Sequence, residues 1–183
     1  MLLEVWAKTF FLIYRCLDKL AKSIDVYVNV RASSTFYKNL KNITLCSTQK
    51  VCDDITELTN KKISLINIKY LADQMLMALS EQSARFIILK YIEGKTLEET
   101  AKVLDISLRT ANRWNLSVIA KCAKILKNLG FNHNKIVKIV GSEKWVFGIV
   151  DKVIEEEQTK HSTKLRRFVV LHEAEKEYKR FLI

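Results

Sequence analysis

The near absence of turn-forming residues is the feature that most constrains the fold of this chain. Its 183 residues include no proline and only four glycines. Sandwiches and barrels with many strands need a turn signal about every ten residues, so these folds are not expected. Because 49% of the residues are hydrophobic, the chain can bury a core and is not expected to be disordered. The sequence therefore predicts an all-α protein of one or two small domains.

Apolar residues recur every three or four positions in the first part of the chain. One stripe over residues 3–24 predicts a helix of about six turns. The alternating valines of residues 26–30 indicate an extended stretch, and the hydroxyl residues 33–35 indicate a break. This region is therefore expected to contain one long helix followed by irregular chain.

Two further helices are predicted before residue 80. The first spans residues 48–58, a turn follows at 60–62, and the second carries apolar residues at helical spacing over 65–79. Residues 1–79 are thus expected to form an N-terminal helical domain. A C-terminal helical segment, 131–183, is also predicted, with a short helix over 135–140, a second helix capped by Ser142, and a charged helix from Leu165.

The middle of the chain, residues 80–130, shows the clearest start and stop signals. Ser80 is the expected cap of a helix that Gly94 ends. Thr96 and Glu99 have the spacing of a capping box, which starts the next helix. Ser107 caps the third helix, and Gly130 ends it.

Buried faces are expected in both outer helices of this unit. In the first helix the inner residues are Ala84, Ile87, Ile88 and Tyr91. In the last helix the inner stripe runs from Ala111 to Leu129, again in steps of three and four.

The second and third helices together have the pattern of a helix-turn-helix. A three-residue turn joins them, and a small residue, Ala101, stands where they approach most closely. Ile106 fills the turn. The sequence therefore predicts a central helix-turn-helix flanked by N- and C-terminal helical segments. The competing interpretation is an ordinary helical hairpin in a core.

Positive charge is concentrated at this motif. The chain has a formal net charge of +11, and residues 100–142 carry eight basic residues against one acidic residue, Asp105. A lysine-rich solvated surface would explain the background charge, whereas this local excess indicates a polyanionic partner. Double-stranded DNA is the partner that fits a helix-turn-helix.

The helix over 107–129 is the expected recognition helix. Arginine binds guanine, and asparagine binds adenine, through two hydrogen bonds in the major groove. The predicted base contacts lie near its N-terminus, and the predicted phosphate contacts lie before and after them. The base contacts are Leu108, Arg109, Asn112 and Arg113; the phosphate contacts are Lys95, Thr96, Ser107, Lys121 and Lys124.

Residues 78–126 resemble region 4 of bacterial sigma factors and the related LuxR-type helix-turn-helix. The resemblance lies in residues 89–101, which would form a helix, a glycine turn and the start of the scaffold helix, and in residues 103–107, the turn and cap before the recognition helix. Asp105 replaces the usual turn glycine, and Ala111 replaces a branched aliphatic residue. Leu108 and Arg109 also differ from the charged and acidic residues common there, so base preference does not transfer.

The resemblance implies a transcription regulator that binds promoter DNA and also contacts RNA polymerase. Sigma factors additionally carry a region 2, whose acidic and aromatic signature is not seen in residues 1–79. A sigma-like factor and a free-standing repressor or activator therefore both stay open, as does a homodimer on a two-fold operator. A third alternative is a helical protein-interaction module that does not bind DNA.

Other classes find little support in the sequence. No nucleophile with its base, phosphate-binding loop or metal-ligand set is present, so neither an enzyme nor a metal or other cofactor is expected. The four cysteines form no Cys-x-x-Cys pair and are interpreted as reduced thiols. No apolar run is long enough for a membrane span, and the expected location is the cytoplasm, at the nucleoid.

Overall fold

The structure is a computed structural model in which residues 2–40, 48–141 and 143–158 are described. Within these ranges it contains helices and no strands, which confirms the all-α prediction. The helices are α1 (Leu2–Leu40), α2 (Thr48–Met77), α3 (Glu81–Ile87) with a π-helical turn (Ile88–Ile92), α4 (Leu97–Val103), α5 (Leu108–Asn128), α6 (His133–Val140) and α7 (Lys144–Gln158).

Helices α1 and α2 form a long antiparallel pair. Charged side chains along its edge show the direction, because rising positions in α1 meet falling positions in α2. Lys69 Nζ lies 2.6 Å from a carboxylate oxygen of Asp18, and Lys62 Nζ lies 2.6 Å from Asp25 Oδ1. Nearer the start of α1, the Tyr14 hydroxyl donates to Asp73 at 2.5 Å. Exposed ion pairs contribute little stability each, so the buried apolar residues between the two helices hold the pair together.

The extended stretch and the break predicted after residue 24 are wrong, because α1 continues through them. Val26 and Val30 are 62% and 60% exposed, so their alternation reflects no buried strand face. The Ser34 hydroxyl donates to the Arg31 carbonyl at 3.0 Å and is satisfied within the helix. Arg31 also reaches Asp54 of α2 at 3.0 Å, which holds this part of α1 against its neighbour.

The turn predicted at residues 60–62 is also wrong, since α2 is one continuous helix. Thr59 donates its hydroxyl to the Ile55 carbonyl at 2.8 Å. Lys61, only 9% exposed, pairs with Glu57 one turn earlier at 2.9 Å. The lysines of the 60–62 segment are therefore accommodated within a helix, because Lys61 pairs along α2 and Lys62 pairs with Asp25 of α1.

One core joins all the described helices. Helix α1 packs against α2, the π-helical turn, α5 and α7, and α6 packs against α2. Trp6 is 1% exposed, and its ring meets that of Phe147 edge-on at 5.9 Å. Its Nε1 donates to His133 Nδ1 at 3.0 Å, which ties α1 to the first residue of α6. Helix α1 is therefore the central support of the fold.

The C-terminal helices follow the prediction where the structure describes them. Helix α6 begins two residues earlier than expected, at His133, because Asn132 caps it by accepting from the Lys135 amide at 2.9 Å. Gly141 ends it with φ of +60°. Helix α7 buries Val146 and Ile149, among others. The predicted Ser142 cap and the charged helix from Leu165 lie outside the described residues, and so do residues 41–46 of the irregular region.

Candidate DNA-binding surface

The first helix of the central unit contains an extra residue. After α3, residues Ile88–Ile92 form a π-helical turn, in which the Glu93 amide donates to the Ile88 carbonyl at 2.7 Å. The wider turn changes which side chains face inward: Leu89 and Tyr91 are buried, whereas Ile88 is 38% exposed. The prediction that Ile88 faces inward is therefore wrong, because it assumed a regular α-helical period.

The start of α4 is fixed as the sequence predicts. Gly94 adopts φ of +73°, a conformation that costs glycine little, and so redirects the chain toward α4. The Thr96 hydroxyl accepts from the Glu99 amide at 3.1 Å, and a Glu99 carboxylate oxygen accepts from the Thr96 amide at 2.7 Å. This capping box satisfies two backbone donors that α4 would otherwise leave unpaired.

The turn between α4 and α5 is short and closed by backbone hydrogen bonds. The Ile106 amide donates to the Ala101 carbonyl at 3.0 Å, and the Ala101 side chain is buried at the helix crossing. Asp105 occupies the left-handed region with φ of +51°, where glycine is usual and where Asp is better tolerated than most residues. Ser107 then caps α5 by accepting from the Thr110 amide at 3.1 Å.

The back of α5 is held firmly by the rest of the protein. Ala111, Cys122 and Leu126 are 0% exposed, and α1 packs along this face. Burial raises the pKa of the Cys122 thiol from 9.0 to about 12, so it is no candidate nucleophile at neutral pH. The predicted inner position of Leu129 is wrong: it is 47% exposed, because the helix ends at Asn128 and Leu126 takes the buried place.

Two side-chain contacts connect α5 to α3 and its π-helical turn. The Tyr91 hydroxyl, presented by the π-helical turn, donates to Asn115 Oδ1 at 2.7 Å. The Trp114 ring meets the Phe86 ring at a steep angle, with 6.3 Å between centroids. These contacts fix the rotation of α5 about its own axis, so the side that faces outward is well defined.

The structure brings the four predicted base contacts close together at the exposed N-terminal end of α5. Leu108, Arg109, Asn112 and Arg113 lie on the first two turns of α5, and all four are exposed. The Asn112 amide nitrogen donates to the Leu108 carbonyl of its own helix at 3.1 Å.

Helix α5 carries five basic residues and no acidic residue. We call the exposed, acid-free side of α5 formed by residues 109, 112, 113, 116, 120, 124 and 127 the front of α5.

The predicted phosphate contacts flank these residues. Lys121 and Lys124 are exposed two to three turns farther along α5. Lys95 precedes α4 and pairs with Glu93. The hydroxyls of Thr96 and Ser107 are already engaged as caps, and Ser107 Oγ also lies 2.9 Å from Thr110 Oγ1. Lys95, Thr96 and Ser107 therefore already have partners within the protein and could offer only their remaining hydrogen bonds to a phosphate.

Sequence reasoning missed one residue on this surface. Leu116 is 71% exposed and lies three residues after Arg113 and seven after Arg109, which places it on the front of α5. The signal was available in the spacing, since positions i, i+3, i+4 and i+7 share one face of a helix.

Comparison with protein families agrees with this geometry. Residues 70–114 match the family model of sigma-70, region 4. The match confirms the resemblance to sigma region 4 and assigns the motif to a helix-turn-helix domain associated with DNA binding in transcription. It does not extend to the LuxR type, and it ends at Trp114, so the basic second half of α5 lies beyond it. No match to the chain was found among curated proteins or among solved structures.

Other kinds of site find no support in the described part of the chain. No three His, Cys, Asp or Glu side chains there are grouped closely enough to hold a metal ion. None of the helices described has the length and apolar character needed to cross a bilayer. The exposure and the positive charge of the front of α5 make it the candidate functional site.

Proposed function

We propose that this protein is a sequence-specific, DNA-binding transcription regulator that reads the major groove with α5. The observation that carries the proposal is the exposed, acid-free front of α5, where Arg109, Asn112 and Arg113 stand within two turns. The buried back of the same helix supports it, because a groove-reading helix must be held in one orientation. The match to sigma-70 region 4 points the same way.

The proposed base contacts follow from side-chain chemistry. Arg109 and Arg113 each offer a fork of N–H donors to guanine O6 and N7. Asn112 offers its amide to adenine N6 and N7 after releasing the Leu108 carbonyl, which then bonds within the helix or to water. Leu108 adds apolar contact at the N-terminal end of the helix.

The proposed phosphate contacts hold the helix in the groove. Lys121 and Lys124 bind the backbone beyond the base-reading residues, and Lys95, Thr96 and Ser107 bind it before them. For Lys95, phosphate replaces the exposed carboxylate of Glu93, an exchange that costs little because exposed ion pairs are weak.

RNA polymerase is the proposed second partner, as the sigma-like character of the motif suggests. A free-standing repressor or activator is the alternative within the same class, and co-purification with polymerase separates the two. We place the protein in the cytoplasm, at the nucleoid. In this proposal residues 80–130 form the DNA-binding unit, residues 1–79 an N-terminal helical domain and residues 131–183 a C-terminal helical segment. If the protein dimerises, a two-fold operator with half-sites about 34–36 Å apart is expected.

The test is selection of binding sites from random DNA, followed by affinity measurements on the selected site. Changing both Arg109→Ala and Arg113→Ala should weaken binding at least about 30-fold, because each forked contact contributes about 1–3 kcal/mol. A charge-matched control, Arg15→Ala with Lys22→Ala on exposed positions of α1, should change affinity far less. Equal losses in both double variants would refute base reading by α5 and leave only general charge attraction.

A second candidate function is a helical protein-interaction module that does not bind DNA. The observation that favours it is an apolar stripe on α2, where Ile63, Ile66, Tyr70 and Met77 are 49%, 51%, 59% and 79% exposed on one face. The salt dependence of nucleic-acid binding discriminates the two. Affinity that falls steeply with salt supports phosphate contacts, whereas weak and flat binding supports the interaction module.

A further inference from the structure

Leu116 stands out among the exposed apolar side chains because of its surroundings. It is 71% exposed and does not belong to the side chains that pack on the described core. On the front of α5 it lies one turn beyond Asn112 and Arg113, with Lys124 two turns farther along. A leucine in the middle of a polar and basic surface gains free energy only from a partner that covers it with an apolar group.

The major groove of DNA offers one such group among its base edges, the C5-methyl group of thymine. The other groups that the bases present there are hydrogen-bond donors and acceptors. We propose that Leu116 packs on a thymine methyl group and makes the protein prefer thymine over cytosine at that position. The inference rests on the proposed function and adds a specificity-determining residue to it.

The spacing along α5 places this thymine relative to the base that Arg109 reads. Seven residues of helix rise about 10.5 Å, at about 1.5 Å for each residue. Successive base pairs lie about 3.4 Å apart along the axis. A helix that follows the groove runs obliquely to the DNA axis, so Leu116 reaches a base pair about two to three steps from the contact of Arg109. The selected sites should show a thymine at that distance.

The experiment replaces thymine by deoxyuridine, one position at a time, in the site selected by the unmodified protein. This change removes one methyl group and leaves the hydrogen-bonding pattern intact. Deoxyuridine in place of the thymine that Leu116 contacts should weaken binding of the unmodified protein about fourfold. This corresponds to about 0.8 kcal/mol for one buried methyl group. The Leu116→Ala variant should bind the two DNAs equally, because the contact is already lost.

Leu129→Ala is the matched control, since Leu129 is also an exposed leucine at the end of α5 but lies on a different side. This variant should keep the full fourfold response to deoxyuridine. The inference is overturned if no single thymine matters to the unmodified protein, or if Leu116→Ala responds to deoxyuridine as the unmodified protein does. Retained affinity and site preference in Leu116→Ala would also overturn the inference.

The outcome also separates this inference from the function on which it rests. If no DNA sequence is enriched at all, both the regulator function and the thymine contact are wrong. If a site is enriched and depends on Arg109 and Arg113 but not on any thymine methyl group, the regulator function stands and the Leu116 contact is wrong.

Discussion

Replacing Leu126 or Leu129 by alanine tests which side of α5 is buried. The two leucines are three residues apart near the end of the helix, and the substitution is chemically identical. Leu126 is 0% exposed and packs in the core, whereas Leu129 is 47% exposed. The apolar spacing of the sequence favours Leu129 as the buried residue, so the two interpretations predict opposite results.

The expected magnitudes follow from burial. Removing a fully buried leucine side chain loses its transfer free energy and leaves a cavity, which together lower the free energy of unfolding by about 2–5 kcal/mol. Leu129 is about half buried, and water fills the space that alanine leaves. Its loss is therefore about 1 kcal/mol. For a chain of this size about 3 kcal/mol lowers Tm by roughly 6–12 °C, and about 1 kcal/mol by roughly 2–4 °C.

The assay is urea unfolding followed by circular dichroism at 222 nm and by tryptophan fluorescence. Coincident transitions justify a two-state treatment, and an unchanged m-value shows that stability alone has changed. Leu126→Met, which keeps most of the volume, should cost less than about 1.5 kcal/mol and guards against a variant too unstable to measure. A loss in Leu129→Ala equal to or greater than that in Leu126→Ala would refute the described orientation of α5.

Three further predictions concern the hydrogen bonds that hold the helix-turn-helix and the reactivity of the protein's thiols. Thr96→Ala should lower the free energy of unfolding by about 1 kcal/mol in urea titrations, because α4 loses its capping box. Thr96→Ser should lower it much less, because serine keeps the capping hydroxyl. Tyr91→Phe should cost about 0.5–1.5 kcal/mol in the same titrations, since the phenol hydroxyl no longer donates to α5; no loss would show that this hydrogen bond contributes nothing. Burial raises the pKa of the Cys16 and Cys122 thiols to about 12, so iodoacetamide at pH 8 should label exposed Cys52 before these two, as peptide mass spectrometry will show. Rapid labelling of the buried thiols in folded protein would contradict their placement.

Local signals predicted most of the centre of the chain, although Ser80 stands at the N-cap of α3 without a side-chain capping hydrogen bond. The Thr96 and Ser107 caps and Gly94 act through neighbours in sequence, so their effect can be inferred from a few residues. The exposed positions of Arg109 and Arg113 followed from the same helical register. In each case the interaction that decides the structure lies within one or two turns of the residue concerned.

The errors arose where distant contacts or an irregular turn decided the structure. Helix α1 continues past residue 24 beside α2, and no local pattern announces that pairing. The π-helical turn adds one residue to a helix, so a strictly regular period assigned Ile88 to the wrong side. Leu116 was left out of both the predicted inner stripe and the predicted DNA contacts, although its spacing from Arg109 places it on the exposed side of α5.

The separation of α5 into a buried back and an exposed front has a consequence for how this protein can change. Substitutions at Arg109, Asn112 and Arg113 leave the packing of Ala111, Cys122 and the other buried residues untouched. A library randomised at the three exposed positions should therefore retain the fold in nearly every member. The DNA sequence that the protein binds can therefore change, in evolution or in the laboratory, without compensating mutations that restore the stability of the fold.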